Sequence, residues 1–227
     1  VDKAAGAKIL ETAKAAKKSS LSAEEVYSIL EAYKIPVADW RMATSAEEAE
    51  KAAADIGYPV VIKADAESIV HKSDMGGVAV NLADAAAVKA AVENMKTALA
   101  ADDLRFFVQK YVPGGLEIIM GAKAEEGLGH MIMFGLGGVY VEIMKDVIFN
   151  LTPVTDTEAD EMLSGIKGAA LLSGVRGQPG VDREALLEII LRLSQLVSDL
   201  PAIQEMDLNP VLAFANRAVV VDARISI

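Results

Sequence analysis

The chain has 227 residues and no cysteine, which excludes disulfides, thiolate metal sites and cysteine nucleophiles. Its two histidines, His71 and His130, are too few for a zinc centre built mainly from imidazole. Positive charge is also scarce: 22 Lys and Arg against 33 Asp and Glu leave a formal net charge of -11. A general nucleic-acid binder needs a surplus of cations to meet phosphate backbones, so that class is set aside. A single nucleotide remains compatible, because a few local cations and a metal ion hold one triphosphate. No stretch approaches the roughly 20 apolar residues of a membrane helix; the richest, residues 130–141, is broken by glycines. No secretory signal is expected, and these residues contain no G-x-x-x-x-G-K-[ST] phosphate loop. The expectation is a cytoplasmic domain without a membrane partner.

What is present supports a sizeable core: 52% of residues are hydrophobic, enough for one domain or two closely joined lobes. Residues 1–20 are rich in Ala and Lys and read as a linker or N-terminal helical extension outside the core. Ser22 with Glu25, Ser45 with Glu48 and Thr155 with Glu158 are helix-start signatures. Asp84 and Asp182 are further caps, the second opening a long helix with Leu186, Ile190, Leu193 and Val197 on one side. Strands are expected at Val60–Lys63, Val78–Leu82, Leu104–Tyr111, Leu116–Ala122, Met131–Phe134 and Val139–Ile143. Strands and helices mix without strict alternation, which favours an α+β protein with two lobes over a doubly wound sheet.

The last 25 residues predict a hairpin turning near Ala215-Asn216. In that register Leu208, Pro210 and Leu212 face Ala223, Val221 and Val219, an apolar side. The other side sets Asp207 opposite Arg224 and Asn209 opposite Asp222, with facing side chains about 5 Å apart. Asn209 and Asp222 then form an oxygen pair suited to Mg²⁺, which takes one or two protein oxygens and completes its shell with phosphates and water. Singly, each has the plainer reading of a strand distortion or a solvated acid.

Other candidates are weaker alone. Lys63 ends an apolar strand ahead of a loop holding Gly76 and Gly77; lysine offers phosphate a point charge and glycine allows close backbone approach. His71 lies in that loop, between the lysine and the glycines, where an imidazole can carry a phosphoryl group. His130, approaching an apolar strand, has a structural role. The segment Gln109, Lys110, Tyr111 and Val112 has a backbone that can read an adenine edge, and Glu117 a carboxylate for ribose hydroxyls. Gly135-Leu136-Gly137-Gly138 is either a phosphate nest or a turn, with Glu142 and Lys145 beyond it. Arg176 is either a phosphate clamp or a surface loop arginine.

Four segments carry a resemblance: YPVVIKADAESIVHKSDMGGV (58–78), VQKYVPGGLEIIMG (108–121), MFGLGGVYVEIMKDV (133–147) and EMDLNPV with VVVDARI (205–211 and 219–225). Together, and in this order, they resemble the ATP-grasp subunit of ADP-forming acetyl-CoA synthetases, over about residues 21–227. The family is more distantly similar to the nucleotide-binding part of succinyl-CoA synthetase. The resemblance implies an ATP-grasp fold clamping ATP or ADP between an N-lobe of about residues 21–108 and a C-lobe of about 109–227.

It further implies that Lys63 contacts phosphates, residues 109–112 the adenine and Glu117 the ribose, with Mg²⁺ on Asn209 and Asp222. His71 would accept a phosphoryl group from a histidine of the CoA-binding partner and deliver it to ADP. The net reaction would be acyl-CoA + ADP + phosphate ⇌ acid + CoA + ATP. The CoA-binding half, and the carboxylic acid or acyl-CoA with it, would come from an α-type subunit or a fused N-terminal region. Lys34 departs from the pattern, since relatives usually have Gly before Ile-Pro. Two other readings stay open: a non-catalytic regulatory module of the same fold, and a carboxylate–amine ligase using an acyl-phosphate directly.

Overall fold

The computed structural model describes residues 1–66, 76–138, 146–175, 177 and 179–227. They fall into two compact units, one of residues 22–24 and 38–113, the other of residues 1–21, 25–37 and 114–227.

The smaller unit is a four-stranded antiparallel sheet with two helices on one face. Its strands are β1 (Trp40–Ala43), β2 (Val60–Asp65), β3 (Val78–Leu82) and β4 (Arg105–Lys110), in the order β1-β4-β2-β3. Helices α3 (Ala46–Ile56) and α4 (Ala85–Leu99) start where Ser45 accepts the Glu48 N–H and Asp84 accepts the Ala87 N–H; each such cap is worth about 1 kcal/mol. The helices supply small residues, Ala49 and Ala53, and branched ones, Val88 and Val92. These pack on Val60, Ile62 and Ala64 of β2 and Phe106 and Val108 of β4. Strand side chains alternate between faces. Val61, Lys63 and Asp65, with Phe107 and Gln109 opposite on β4, therefore lie on the face away from the helices.

The larger unit holds an antiparallel sheet of β5 (Leu116–Glu125), β6 (Gly129–Leu136), β7 (Val147–Leu151), β8 (Glu205–Phe214) and β10 (Ala223–Ser226), ordered β10-β8-β5-β6-β7. Strand β9 (Arg217–Val220) pairs with β8 as well. Helix α5 (Asp156–Gly165) opens on a capping box between Thr155 and Glu158. A one-turn helix α6 (Ala169–Leu172) follows, and then α7 (Arg183–Asp199), whose apolar stripe from Leu186 to Val197 is fully buried. No helix among the described residues is long and apolar enough to cross a membrane.

Two expectations about the N-terminal part change. Residues 3–15 form helix α1, and it is not outside the core: Leu10 and Ala13 are buried. Burying one leucine side chain contributes roughly 1.5–3 kcal/mol. Lys3 pairs with Asp199 at 2.8 Å, and Gly6 lies where any Cβ would come within 3.1 Å of the Tyr33 ring. Helix α2 (Ala23–Ala32) belongs from residue 25 onward to the larger unit, not to the segment before residue 108. The cause is its apolar side, since Val26, Ile29 and Leu30 are buried and the Pro36 carbonyl accepts the Val220 N–H at 2.9 Å. Ser19 and Leu21 also bond to the backbone of Ile227 and Ile225, so this stretch runs beside β10.

Two strands were not legible in the sequence, β1 and β7. The expected strand 139–143 lies outside the described residues.

Candidate functional site

In the smaller unit Lys63 stands on a central strand, directly opposite Phe107 of β4 and Val78 of β3. The Gly77 carbonyl accepts the N–H of Ala64 at 2.7 Å, which brings the glycine pair back beside the end of that strand. Gly76 has φ +78°, a conformation that side chains resist. Gln109 is on the same face as Lys63, diagonal to it across the ladder, and is buried.

The segment 109–112 is more committed internally than its sequence suggests. The Lys110 ammonium donates to the carbonyls of Gly57 at 2.8 Å and Tyr58 at 2.9 Å. The Lys110 N–H goes to Asp39 O and the Tyr111 N–H to Pro59 O. The Lys110 side chain therefore ties the end of α3 to β4.

In the larger unit Glu117 is exposed on β5 opposite Leu212. The glycine run sorts by packing. Gly135 is inside β6, where a Cβ would lie 2.5 Å from the Asp146 carbonyl oxygen. The Gly137 N–H donates to Glu117 O at 2.7 Å, and a Cβ on Gly138 would lie 2.5 Å from Glu117 Oε2. Gly137 and Gly138 thus let the chain lie against Glu117. Asp146, buried, accepts the N–H groups of Lys167 and Gly168 at 2.7 Å each and holds the start of α6.

The C-terminal hairpin has the predicted register. Leu208 faces Ala223, Asp207 faces Arg224 and Leu212 faces Val219, with Ala215 and Asn216 at the turn. Asn209 and Asp222 are cross-strand neighbours, the Asn209 N–H donating to the Asp222 carbonyl at 3.0 Å. The division into faces needs correcting, however. β8 pairs with β5 through Ile118–Val211 and Met120–Leu208, so one extra residue of β8 sits between these pairs. Proline cannot donate to a ladder, and a bulge accommodates it. The alternation flips across Asn209-Pro210: Leu208 and Val211 share the core side, whereas Leu212 does not belong with Leu208.

The bulge leaves Asn209 exposed beside a partly exposed Asp222. Asp207 adds a second carboxyl. Burial pushes it above the usual carboxylate range, Arg224 opposes, and the charges of Asp222 and Glu205 push the same way as burial. On the sequence alone Asp207 stands only opposite Arg224. Among the described residues no group of three or more His, Cys, Asp or Glu side chains is placed to hold a metal. The pair Asn209 and Asp222 fits a different kind of ion, a hard cation with two protein oxygens and the rest of its shell from phosphate and water.

His71, Arg176, Glu142 and Lys145 lie outside the described residues. His130 is structural, buried with its Nε2 2.7 Å from Ile203 O.

Residues 12–227 match the model of the ATP-grasp domain. The chain is 48% identical over 217 residues to the ADP-forming 4-hydroxybutyrate–CoA ligase of Nitrosopumilus maritimus, covering 93% of this chain and 31% of that one. It therefore spans less than a third of that relative's length. It is 40% identical over 221 residues to the β subunit of ADP-forming acetate–CoA ligase I of Pyrococcus furiosus, covering 95% of both. A solved acetyl-coenzyme A synthetase 1 of Ca. Korarchaeum cryptofilum superposes with a TM-score of 0.87 at 38% identity, covering 98% of this chain and 99% of that one. That structure is a complex with coenzyme A and Mg-AMPPCP, its phosphohistidine segment pointing towards the nucleotide binding site. The chain belongs to the ATP-grasp domain family, and the β subunit of an ADP-forming acetate–CoA ligase is among its relatives.

Proposed function

We propose that this chain is the nucleotide-handling part of an ADP-forming acid–CoA ligase, which moves a phosphoryl group between ATP or ADP and a CoA-binding partner. The observation that carries the reading is the hairpin register that sets Asn209 beside Asp222, in a chain whose relatives are ADP-forming CoA ligases. In this reading Lys63 and the backbone at Gly76 and Gly77 meet the phosphates, and the Gln109–Val112 segment meets the adenine. Glu117, backed by Gly137 and Gly138, takes the ribose hydroxyls, and Arg176 adds a cation. A divalent ion held by Asn209 and Asp222 supplies neutralisation of phosphate charge.

His71 is the phosphoryl carrier. Its imidazole forms a P–N bond as the bond to the donor breaks, then yields the phosphoryl group to a terminal oxygen of ADP. The N–P bond is energetic enough to make the transfer reversible, which suits acyl-CoA + ADP + phosphate ⇌ acid + CoA + ATP. The CoA and acyl sites belong to the partner, whether a separate subunit or a fused region, and the partner selects the acid.

The test is to assay the purified 227-residue chain for Mg-ATP binding and for acyl-CoA formation from ATP, CoA and a short carboxylic acid. Binding without acyl-CoA formation is the expected result. Acyl-CoA formation by the chain alone would overturn the division of labour, and no ATP binding would overturn the assignment.

A further inference from the structure

Arg224 is a cation of the larger unit that the reading above leaves unused. It stands on β10 directly opposite Asp207 of β8. Its neighbour Ile225 is buried, whereas Arg224 is exposed, so its side chain lies on the sheet face away from the core. Side chains two residues apart on a strand share a face. Asp207 and Asn209 therefore lie on that face as well, and Asn209 is exposed too. The bond from the Asn209 N–H to the Asp222 carbonyl continues the same ladder. Arg224 is thus one step, about 7 Å along the strands, from the Asn209–Asp222 pair.

The guanidinium is not committed to its neighbour. Its charge reaches Asp207, opposing the effect of burial on that carboxyl. Yet among the described residues no hydrogen bond or ion pair engages Arg224. An exposed guanidinium offers a planar fork of donors that fits two phosphate oxygens at once. The order along β8 indicates which phosphate. Leu212 lies opposite Glu117, Asn209 beside Asp222, and Asp207 opposite Arg224. A nucleotide laid along this strand, with its ribose at Glu117 and its inner phosphates at Asn209 and Asp222, ends its phosphate chain at Arg224.

We propose that Arg224 contacts the terminal phosphate of ATP, the group that is transferred, and so separates ATP from ADP. The inference rests on the nucleotide-binding reading given above. It adds to that reading a residue that acts on one phosphate only.

The test is calorimetric titration of the full chain, with magnesium, against ADP and against an ATP analogue whose last two phosphates are bridged by methylene. Arg224→Gln should weaken the analogue at least about tenfold and ADP less than about twofold. Arg224→Lys should recover part of the loss, and the same selective loss should appear when Arg224→Gln is added to Asp207→Asn. A loss that disappears in the Asp207→Asn background would show that Arg224 only neutralises that carboxylate, and overturn the inference. Equal loss for both nucleotides, or wild-type affinity for the analogue in Arg224→Gln, would overturn it too and leave the nucleotide reading standing. A wild-type chain that binds neither nucleotide would overturn that reading with it.

Discussion

Asn209 and Asp222 are joined through the backbone, the N–H of one donating to the carbonyl of the other at 3.0 Å, where β8 bulges away from β5. The hairpin keeps its register on both sides of this point, through Leu208–Ala223 and Val211–Val220. The neighbourhood of the two side chains is therefore a property of the ladder and does not depend on a loop. Asp222→Asn and Asn209→Ala should each weaken the magnesium-dependent part of ATP affinity by about tenfold, or about 1.4 kcal/mol. Calorimetric titrations with magnesium and with EDTA check this; affinity in EDTA should be unchanged, and so should the melting temperature without ligand.

Lys110 is expected to behave differently from Lys63. Its ammonium serves the carbonyls of Gly57 and Tyr58, so Lys110→Met leaves two acceptors short of a donor. Stability should fall by about 1–2 kcal/mol, read from urea unfolding, with nucleotide affinity of the folded protein little changed. Lys63→Met should weaken nucleotide affinity in the folded protein.

Helix α2 ends in a Schellman arrangement: the Ile35 N–H bonds Leu30 O and the Lys34 N–H bonds Glu31 O, both at 2.9 Å. Lys34 occupies the left-handed position, with φ +57°, where glycine avoids a Cβ penalty. Lys34→Gly should stabilise the protein by about 1 kcal/mol, raising Tm by about 2–4 °C. A lower Tm in the variant would contradict this account of the helix end.

Glu158 closes a capping box, accepting from the N–H and hydroxyl of Thr155. These bonds, the backbone one first, lower its pKa below the ordinary 4.5. A carboxylate whose folded pKa is lowered contributes stability that is complete above its unfolded pKa and is lost as pH falls through the folded value. Glu48 has the same relation to Thr44. The double variant Glu48→Gln, Glu158→Gln should therefore have a flatter decline of Tm between about pH 5 and pH 3 than the wild type, with the difference greatest near neutrality.

The legible parts of this chain were those fixed by local chemistry. The caps at Ser45, Asp84, Thr155 and Asp182 all form, because a side chain and an N–H three residues on need no distant partner. The hairpin register was readable because its turn and both strands are contiguous. The face assignment failed at Asn209-Pro210 because the bulge is defined against β5, some 90 residues earlier. Leu10 stands in a helix with few large apolar residues, and its burial could not be read from that helix alone. β7 was hidden because only its pairing with β6 distinguishes residues 147–151 from a loop. The Lys110 ammonium likewise acquires its partners only through the ladder β1-β4-β2.

The proposed function turns on passage of a phosphoryl group through the imidazole of His71. The most direct measurement is incubation with magnesium and γ-labelled ATP, followed by denaturing separation at neutral and at acid pH. The wild-type chain should carry label that is stable in base, lost in acid and absent from His71→Ala and Asp222→Asn. Label that survives in His71→Ala, or a wild-type chain that binds ATP and never takes up label, would contradict it.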